Sequence, residues 1–328
     1  MAKKLELSFA CGDYEILRPL KFGLVEPEGI ELNILNIESR ERHWRMGRNE
    51  EFDMCEFNYT SHAIALDQGR PFAGLPIFLH RRFRHGFIFI NKNAGIDKPS
   101  DLRGKKVGGT TFAPASNVWI RGILEDEYGV PFKEMLHFTE RDDDIDFNIA
   151  DGLIIERIPA GKTLDQMLVA GEIDAMFSAT FPQSYLDGDP RIGRLFENYK
   201  EVEADYFRAT GIFPIMHVNT IRRDIVEKYP WVPGCLMEAF EKSKNMAYER
   251  VRNPRIVPLA WFSHAWEEQC EVLGDDPWEY GLGPRNRKNL ETGYAYAHQQ
   301  GLISRAMSLG ELFVDTGEEL SAPAPATF

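Results

Sequence analysis

The chain has 328 residues, 43% hydrophobic and 27% charged, which fits a soluble globular protein with one large or two medium domains and an ample core. Its net charge of −13 argues against nucleic acid and anionic membrane as partners, and an anionic ligand would need a local basic pocket set against a repulsive field. Cys11, Cys55, Cys235 and Cys270 lie far apart with no C-x-x-C pair, which is neither a zinc pattern nor a disulfide framework. No segment reaches transmembrane length, and the first residues run straight into a strand pattern without an apolar leader, so the expectation is a cytoplasmic protein.

In chain order, Leu5–Ala10 alternates as a strand and is followed by the loop Cys11-Gly12-Asp13-Tyr14 and a short helix towards Leu20. Ile30–Ile37 is a second strand. The charge-rich stretch Glu38–Glu51, with Arg40, Arg42, His43, Arg45 and Arg48, reads as a helix presenting a solvated face, with the alternative that one of these arginines reaches a cleft. Phe52–Asn58 is a strand ending in Asn58-Tyr59-Thr60-Ser61, which caps a helix through Leu66. The basic knot Arg81-Arg82-Phe83-Arg84-His85 precedes the strand Gly86–Asn91, and Lys92–Ser100 reads as a crossover.

The stretch Lys105–Leu124 organises the middle of the chain. A short apolar strand stops at Gly108 and Gly109, a loop of small polar residues follows, and Ser116 and Asn117 suit the N-cap of an amphipathic helix. A strand feeding a helix in this way leaves backbone N–H groups and a helix dipole that favour an anion, although on this stretch alone an ordinary βα turn with a good cap is the leading reading. The acidic run Glu140–Asp146 reads as a solvated loop, Gly152–Ile158 as a strand, and Thr163–Ala179 as helix, turn at Gly171 and buried strand. Gly211–Asn219 is a further strand, and the remainder to Phe313 reads as helical, with a tail 321–328 expected to be disordered.

Strands alternating with helices, with crossovers near Asn91–Gly95 and Thr210–Pro214, predict two α/β lobes. Lobe 1 takes 1–92 and 212–320, and lobe 2 takes 93–211. A central interlobe cleft would collect the loops at the carboxyl ends of the strands. With DLRGKKVGGTTFAPASNVWIRGILEDEYGV at its centre, the layout resembles the type II periplasmic-binding-protein-like fold, here with a helical C-terminal block. RRFRHGFIFINKNAGI, VWIRGILEDEYGV, GIFPIMHVNTIRRDIVEKYPWVP and GDDPWEYGL…NRKNLETGYAYAHQQGL…ELF are similar to the 4,5-dihydroxyphthalate decarboxylase family, from about Leu5 to Phe313. The resemblance implies non-oxidative loss of CO2 from a hydroxylated aromatic dicarboxylate. The alternative is a solute-binding protein of the same fold that captures a small carboxylate without chemistry. An enzyme of pyrimidine-precursor synthesis on this fold is a third reading, but its His- and Cys-rich signature is not seen.

Such a reaction needs a poorly solvated site for the departing carboxylate, an anchor for the retained one, and an acid for the ring carbon. His85 and His217 are the candidates for the proton: His85 by the match at FRHG, His217 because an imidazole inside PIMHV is unusual. Arg82 and Arg84 alternate onto one face with His85 on the other and, with Thr111, Ser116 and Asn117, are candidates for holding carboxylate. Arg121 pairs with Glu125 on one reading and clamps substrate on the other. Asn58 and Thr60 are placed ahead of Glu56 for polar contact, and Asp13, Tyr14 and Ser178 lie at strand ends that would line the cleft. His43, His62, His80, His137, His264 and His298 are assigned to surface or packing. No cofactor is called for. A divalent metal held by residues distant in sequence stays open, as does a homo-oligomer; the partner expected is a small anionic aromatic substrate.

Overall fold

The computed structural model describes residues 3–149 and 152–316, so the tail 321–328 lies outside the described residues. Its elements are β1 (Leu5–Cys11), α1 (Arg18–Lys21), β2 (Ile30–Asn36), α2 (Ser39–Asn49), β3 (Met54–Asn58), α3 (Tyr59–Asp67), β4 (Phe72–Leu75), β5 (Ile88–Asn91), β6 (Lys106–Gly109), α4 (Ala115–Tyr128), β7 (Leu136–Thr139) and β8 (Ile155–Arg157). They continue with α5 (Leu164–Ala170), β9 (Ala175–Phe177), α6 (Gln183–Leu186), β10 (Ile192–Arg194), α7 (Tyr199–Thr210), β11 (His217–Arg222), α8 (Arg223–Lys228), α9 (Val232–Val251), α10 (Phe262–Leu273), α11 (Pro284–Gln299) and α12 (Leu309–Leu312). Among the described residues no helix is long and apolar enough to cross a membrane.

Two compact units form. The first takes the chain up to Arg81, then Gly211–Glu291, and from Met307 onward; the second takes Arg82–Thr210 and Thr292–Ala306. Ile88–Asn91, placed above in the first lobe, pairs antiparallel with β9 and β10 and so belongs to the second unit's sheet.

The first unit is built on a sheet of order β2-β1-β3-β11-β4, in which β11 runs antiparallel to both neighbours. One face carries Leu7, Phe9, Met54, Leu75 and Ile221 against Leu236, Met237 and Phe240 of α9. Because side chains alternate, Glu56 and Asn58 continue that same face past Met54, and His217 and Asn219 continue it opposite them, in register Asn58↔His217 and Glu56↔Asn219. The apolar face therefore turns polar at the carboxyl end of β3 and the start of β11.

The second unit has the order β10-β5-β9-β6-β7-β8. Its sheet is covered on both faces: Ile88, Ile90, Val107, Ala175 and Phe177 pack with Ile120 and Leu124 of α4, while Phe89, Met176 and Ile192 pack with Leu164 and Leu168 of α5. Local sequence explains the helix ends. Thr163 and Gln166 form a capping box before α5, Gly171 closes it at φ 72°, and Gly129 closes α4 at φ 63°. Gly122 sits where α4 meets the ring of Tyr296, with no room for a Cβ. Gly122→Ala is expected to cost about 1–3 kcal/mol by overpacking, read as a lower midpoint in denaturant.

Candidate functional site

The first unit buries an ionised carboxylate. Glu56, 0% exposed, lies on β3, whose five residues are all buried, so its charge must be satisfied inside the protein. Its Oε2 accepts from Gly12 N (2.9 Å) and pairs with Arg42 Nη2 (2.7 Å); its Oε1 accepts from the Tyr14 hydroxyl (2.5 Å) and His217 Nδ1 (2.5 Å). Arg42 is itself fixed, its Nε donating to Glu56 O (2.9 Å) and its Nη1 to Ile37 O (2.8 Å). Burial alone would raise the Glu56 carboxyl, but the charge on Arg42, then His217, then the hydrogen bonds from His217 and Tyr14 outweigh it and hold it well below the usual carboxylate range. Burial and the Glu56 charge push the Tyr14 phenol far up, so it stays a donor.

This geometry fixes a tautomer. Glu56 accepts from Nδ1, so Nδ1 of His217 carries the hydrogen. Glu56 is sealed at 0% exposure, and His217 is 7% exposed. Two further imidazoles pack edge-on to it, His43 with ring centroids 4.9 Å away and His80 at 4.7 Å. His43 receives the Asn58 amide on Nδ1 at 3.0 Å and, through burial and then Arg42, stays well below the ordinary histidine range. A recess of about 420 Å³ opens beside Tyr14 and Arg42, lined also by Gly12, Asp13, Ile37 and Ser39, a volume in the range of small-molecule sites.

The remaining predicted residues divide between the units. In the first, Asp13 is exposed and paired with Lys21 at 2.6 Å, Asn58 orients His43, and Thr60 is buried in the first turn of α3. In the second, the N-cap of α4 is Pro114 rather than Ser116 or Asn117, and Pro114 O accepts from Asn117 N and Val118 N. Asn117 Nδ2 closes the loop on Thr111 O at 2.9 Å. The loop amides of Phe112 and Ala113 already hold the carboxylate of Asp143 (3.2 and 2.8 Å), so the acidic run supplies an anion to this cradle from within the chain. Arg121 donates to Gln300 Oε1 (2.7 Å) and to Phe112 O (2.8 Å), partners that its helical spacing to Glu125 did not indicate. Ser178 accepts from Thr180 N at 3.3 Å.

The basic knot does not alternate as a strand. Arg84 O accepts from Phe87 N in a 3-10 turn over His85–Phe87, so the strand starts at Ile88. His85 is caged by Tyr206, Phe196 and Tyr128 with centroids 5.2, 5.3 and 6.3 Å away, and burial pushes it down to about 4. It is neutral at physiological pH and poorly matched to giving up a proton.

In the sequence, Glu56 ranks behind Asn58 and Thr60, Arg42 is one of several arginines of a helix read as mainly solvated, and His43 and His80 read as surface or packing. The signal was there in part: a carboxylate set between Cys55 and Phe57 in a strand requires a buried cation, and α2 supplies one at Arg42. Arg42 and His43 are buried, so the solvated-face expectation for α2 fails on that side. Among the described residues no group of three or more His, Cys, Asp or Glu side chains is arranged to hold a metal ion.

Burial also keeps His62 and His137 neutral, at about 4 and about 3. With His43 and His85, these groups bind protons in the unfolded chain near 6.5 but not in the fold. The stability they contribute is complete above pH 6.5 and is expected to fall as pH drops below it, by up to about 1.4 kcal/mol per pH unit for each histidine. Denaturant midpoints measured across that range check this; a flat profile down to the carboxylate range would contradict it.

Residues 23–145 match the family model described as NMT1/THI5 like. The chain is 31% identical over 319 residues to the 4,5-dihydroxyphthalate decarboxylase of Comamonas testosteroni, covering 94% of this chain and 96% of that one. It is 30% identical to the enzyme of the same name from Pseudomonas putida, over 63% of this chain and 83% of that one. Among solved structures it is similar to a putative periplasmic sulfonate-binding protein, SsuA, from Methylobacillus flagellatus, with TM-score 0.61, 13% identity and coverage of 96% and 92%. The SsuA of Escherichia coli gives TM-score 0.53 at 11% identity, with coverage of 95% and 98%. These last likenesses show the fold, that of the type II periplasmic binding proteins.

Proposed function

The chain belongs to the 4,5-dihydroxyphthalate decarboxylase family, and on that footing we propose that it converts 4,5-dihydroxyphthalate, or a close hydroxylated dicarboxylate, to 3,4-dihydroxybenzoate and CO2. It is a carboxy-lyase. The observation that carries the reading is the match along nearly the whole chain to the Comamonas testosteroni enzyme.

The reaction breaks one C–C bond, leaves its electron pair on the ring carbon and places one proton there. The first unit holds the parts for the proton. Glu56 stays ionised and keeps His217 in one orientation and one tautomer, so that an imidazolium at His217 releases its proton from Nε2. Arg42, Tyr14 and the Gly12 amide hold Glu56 in place and keep it from accepting that proton itself. Low solvent access around the pair favours charge moving into the ring.

The test is incubation of the purified protein with 4,5-dihydroxyphthalate, following CO2 and 3,4-dihydroxybenzoate. Stoichiometric appearance of both is expected. Recovery of the ligand unchanged, with the protein stabilised against heat, would favour a solute-binding role instead.

A further inference from the structure

The second unit concentrates positive charge at one edge of its sheet. β10 ends at Arg194 opposite Phe89, and β5 begins beside Phe177, so Arg194 and the turn His85–Phe87 lie at the same end. The guanidiniums of Arg84 and Arg82 stand 5.3 and 5.7 Å from the centre of the Phe87 ring, which stacks on Phe181 at 5.4 Å. Arg194 lies 5.3 Å from Phe181 and 4.2 Å from Tyr199. Gly86 presses against Tyr199 so closely that a Cβ would meet the ring at 2.7 Å, which brings α7 down onto the turn. There Glu203 of α7 accepts from Gly86 N at 3.0 Å. The charges of Arg84, Arg194 and Arg82 all act on this carboxyl.

The donors are not all used. Arg194 Nε is buried without a hydrogen-bond partner, as are both ring nitrogens of His85, 1% exposed. The unmet Arg194 Nε–H beside a surplus of positive charge calls for an anion. Phe181, 42% exposed, offers a ring face next to them.

We propose that Arg82, Arg84 and Arg194 form a docking site for an aromatic carboxylate, and that Glu203 competes for those arginines, taking up a proton as the ligand's carboxylate arrives. The identity of the natural ligand rests on the decarboxylase reading; the site itself does not. Two carboxylates in one desolvated site repel, and protonating the resident one relieves the conflict. Glu203 is suited to that role, since burial pushes its carboxyl up to about 7 despite the Gly86 N–H and the charges of Arg84, Arg194 and Arg82. Those are the groups that face it from the turn, the segment before it and β10. His85 is neutral throughout this range and is not the coupled group.

The experiment is calorimetric titration of the full chain with phthalate, an unhydroxylated probe, between about pH 7 and pH 9 in buffers of different ionisation heat. Wild type is expected to take up close to one proton per phthalate at the upper end, with affinity falling about tenfold per pH unit. Glu203→Gln is expected to abolish both proton uptake and pH dependence and to bind at least about tenfold tighter near pH 9. Arg194→Gln, at a half-buried position that the fold tolerates more readily than Arg84→Gln, is expected to weaken binding at every pH. Absence of phthalate binding, a pH-independent wild type, or a Glu203→Gln variant with the wild-type slope would each overturn the proposal. Turnover of 4,5-dihydroxyphthalate is followed in parallel. Turnover with no proton-linked binding defeats the docking site alone; proton-linked binding with no turnover defeats the decarboxylase reading alone.

Discussion

His217→Asn is expected to lower turnover of 4,5-dihydroxyphthalate by about 10²–10⁴-fold, the range typical of losing a positioned general acid. The Asn Nδ2 falls where imidazole Nδ1 now stands, so a donor to Glu56 Oε1 is kept while Nε2, the proposed proton donor, is removed. Loss of stability should accordingly be small, about 1 kcal/mol, the net value of one hydrogen bond. A kcat that falls while the denaturant midpoint holds would separate chemistry from folding. A variant with near wild-type kcat would remove His217 from the proton step.

Glu56→Gln is expected to act on the fold as well as on turnover. It leaves the Arg42 guanidinium buried without its counter-charge and sets an amide NH2 against donors, a change that typically costs about 3–5 kcal/mol. For a unit of this size that corresponds to a fall in midpoint temperature of about 10 °C. Reduced turnover should persist well below the variant's midpoint, because an amide neither fixes the Nδ1–H tautomer as firmly nor stabilises the imidazolium. Full stability in this variant would mean that Arg42 finds another partner. Full activity would mean that His217 needs no carboxylate.

Much of the fold was legible because short-range signals governed it. Leu5–Cys11, Met54–Asn58 and the Gly-terminated helices α4 and α5 follow directly from alternation and caps. Where long-range contacts decide, the reading failed. β11 begins at His217 and not at Gly211, because the residues before it are held by Asn289 of α11, whose amide donates to Phe213 O and accepts from Ile215 N. The site shows the same division. His217 stands out locally as an imidazole in an apolar strand, but the importance of Glu56 depends on Arg42, Tyr14 and Gly12, which arrive from other elements. Likewise Glu203 lies 117 residues from the Gly86 amide that it accepts, a pairing that no local pattern announces.

The central claim is that Glu56 and His217 work as one proton-handling unit, and a double-mutant cycle in kcat tests it most directly. Glu56→Gln, His217→Asn and the double variant are compared with wild type at a temperature where all are folded. If the two residues form one unit, the double variant is expected to be about as slow as His217→Asn alone. Effects that multiply would show that the residues act separately, and would contradict the claim.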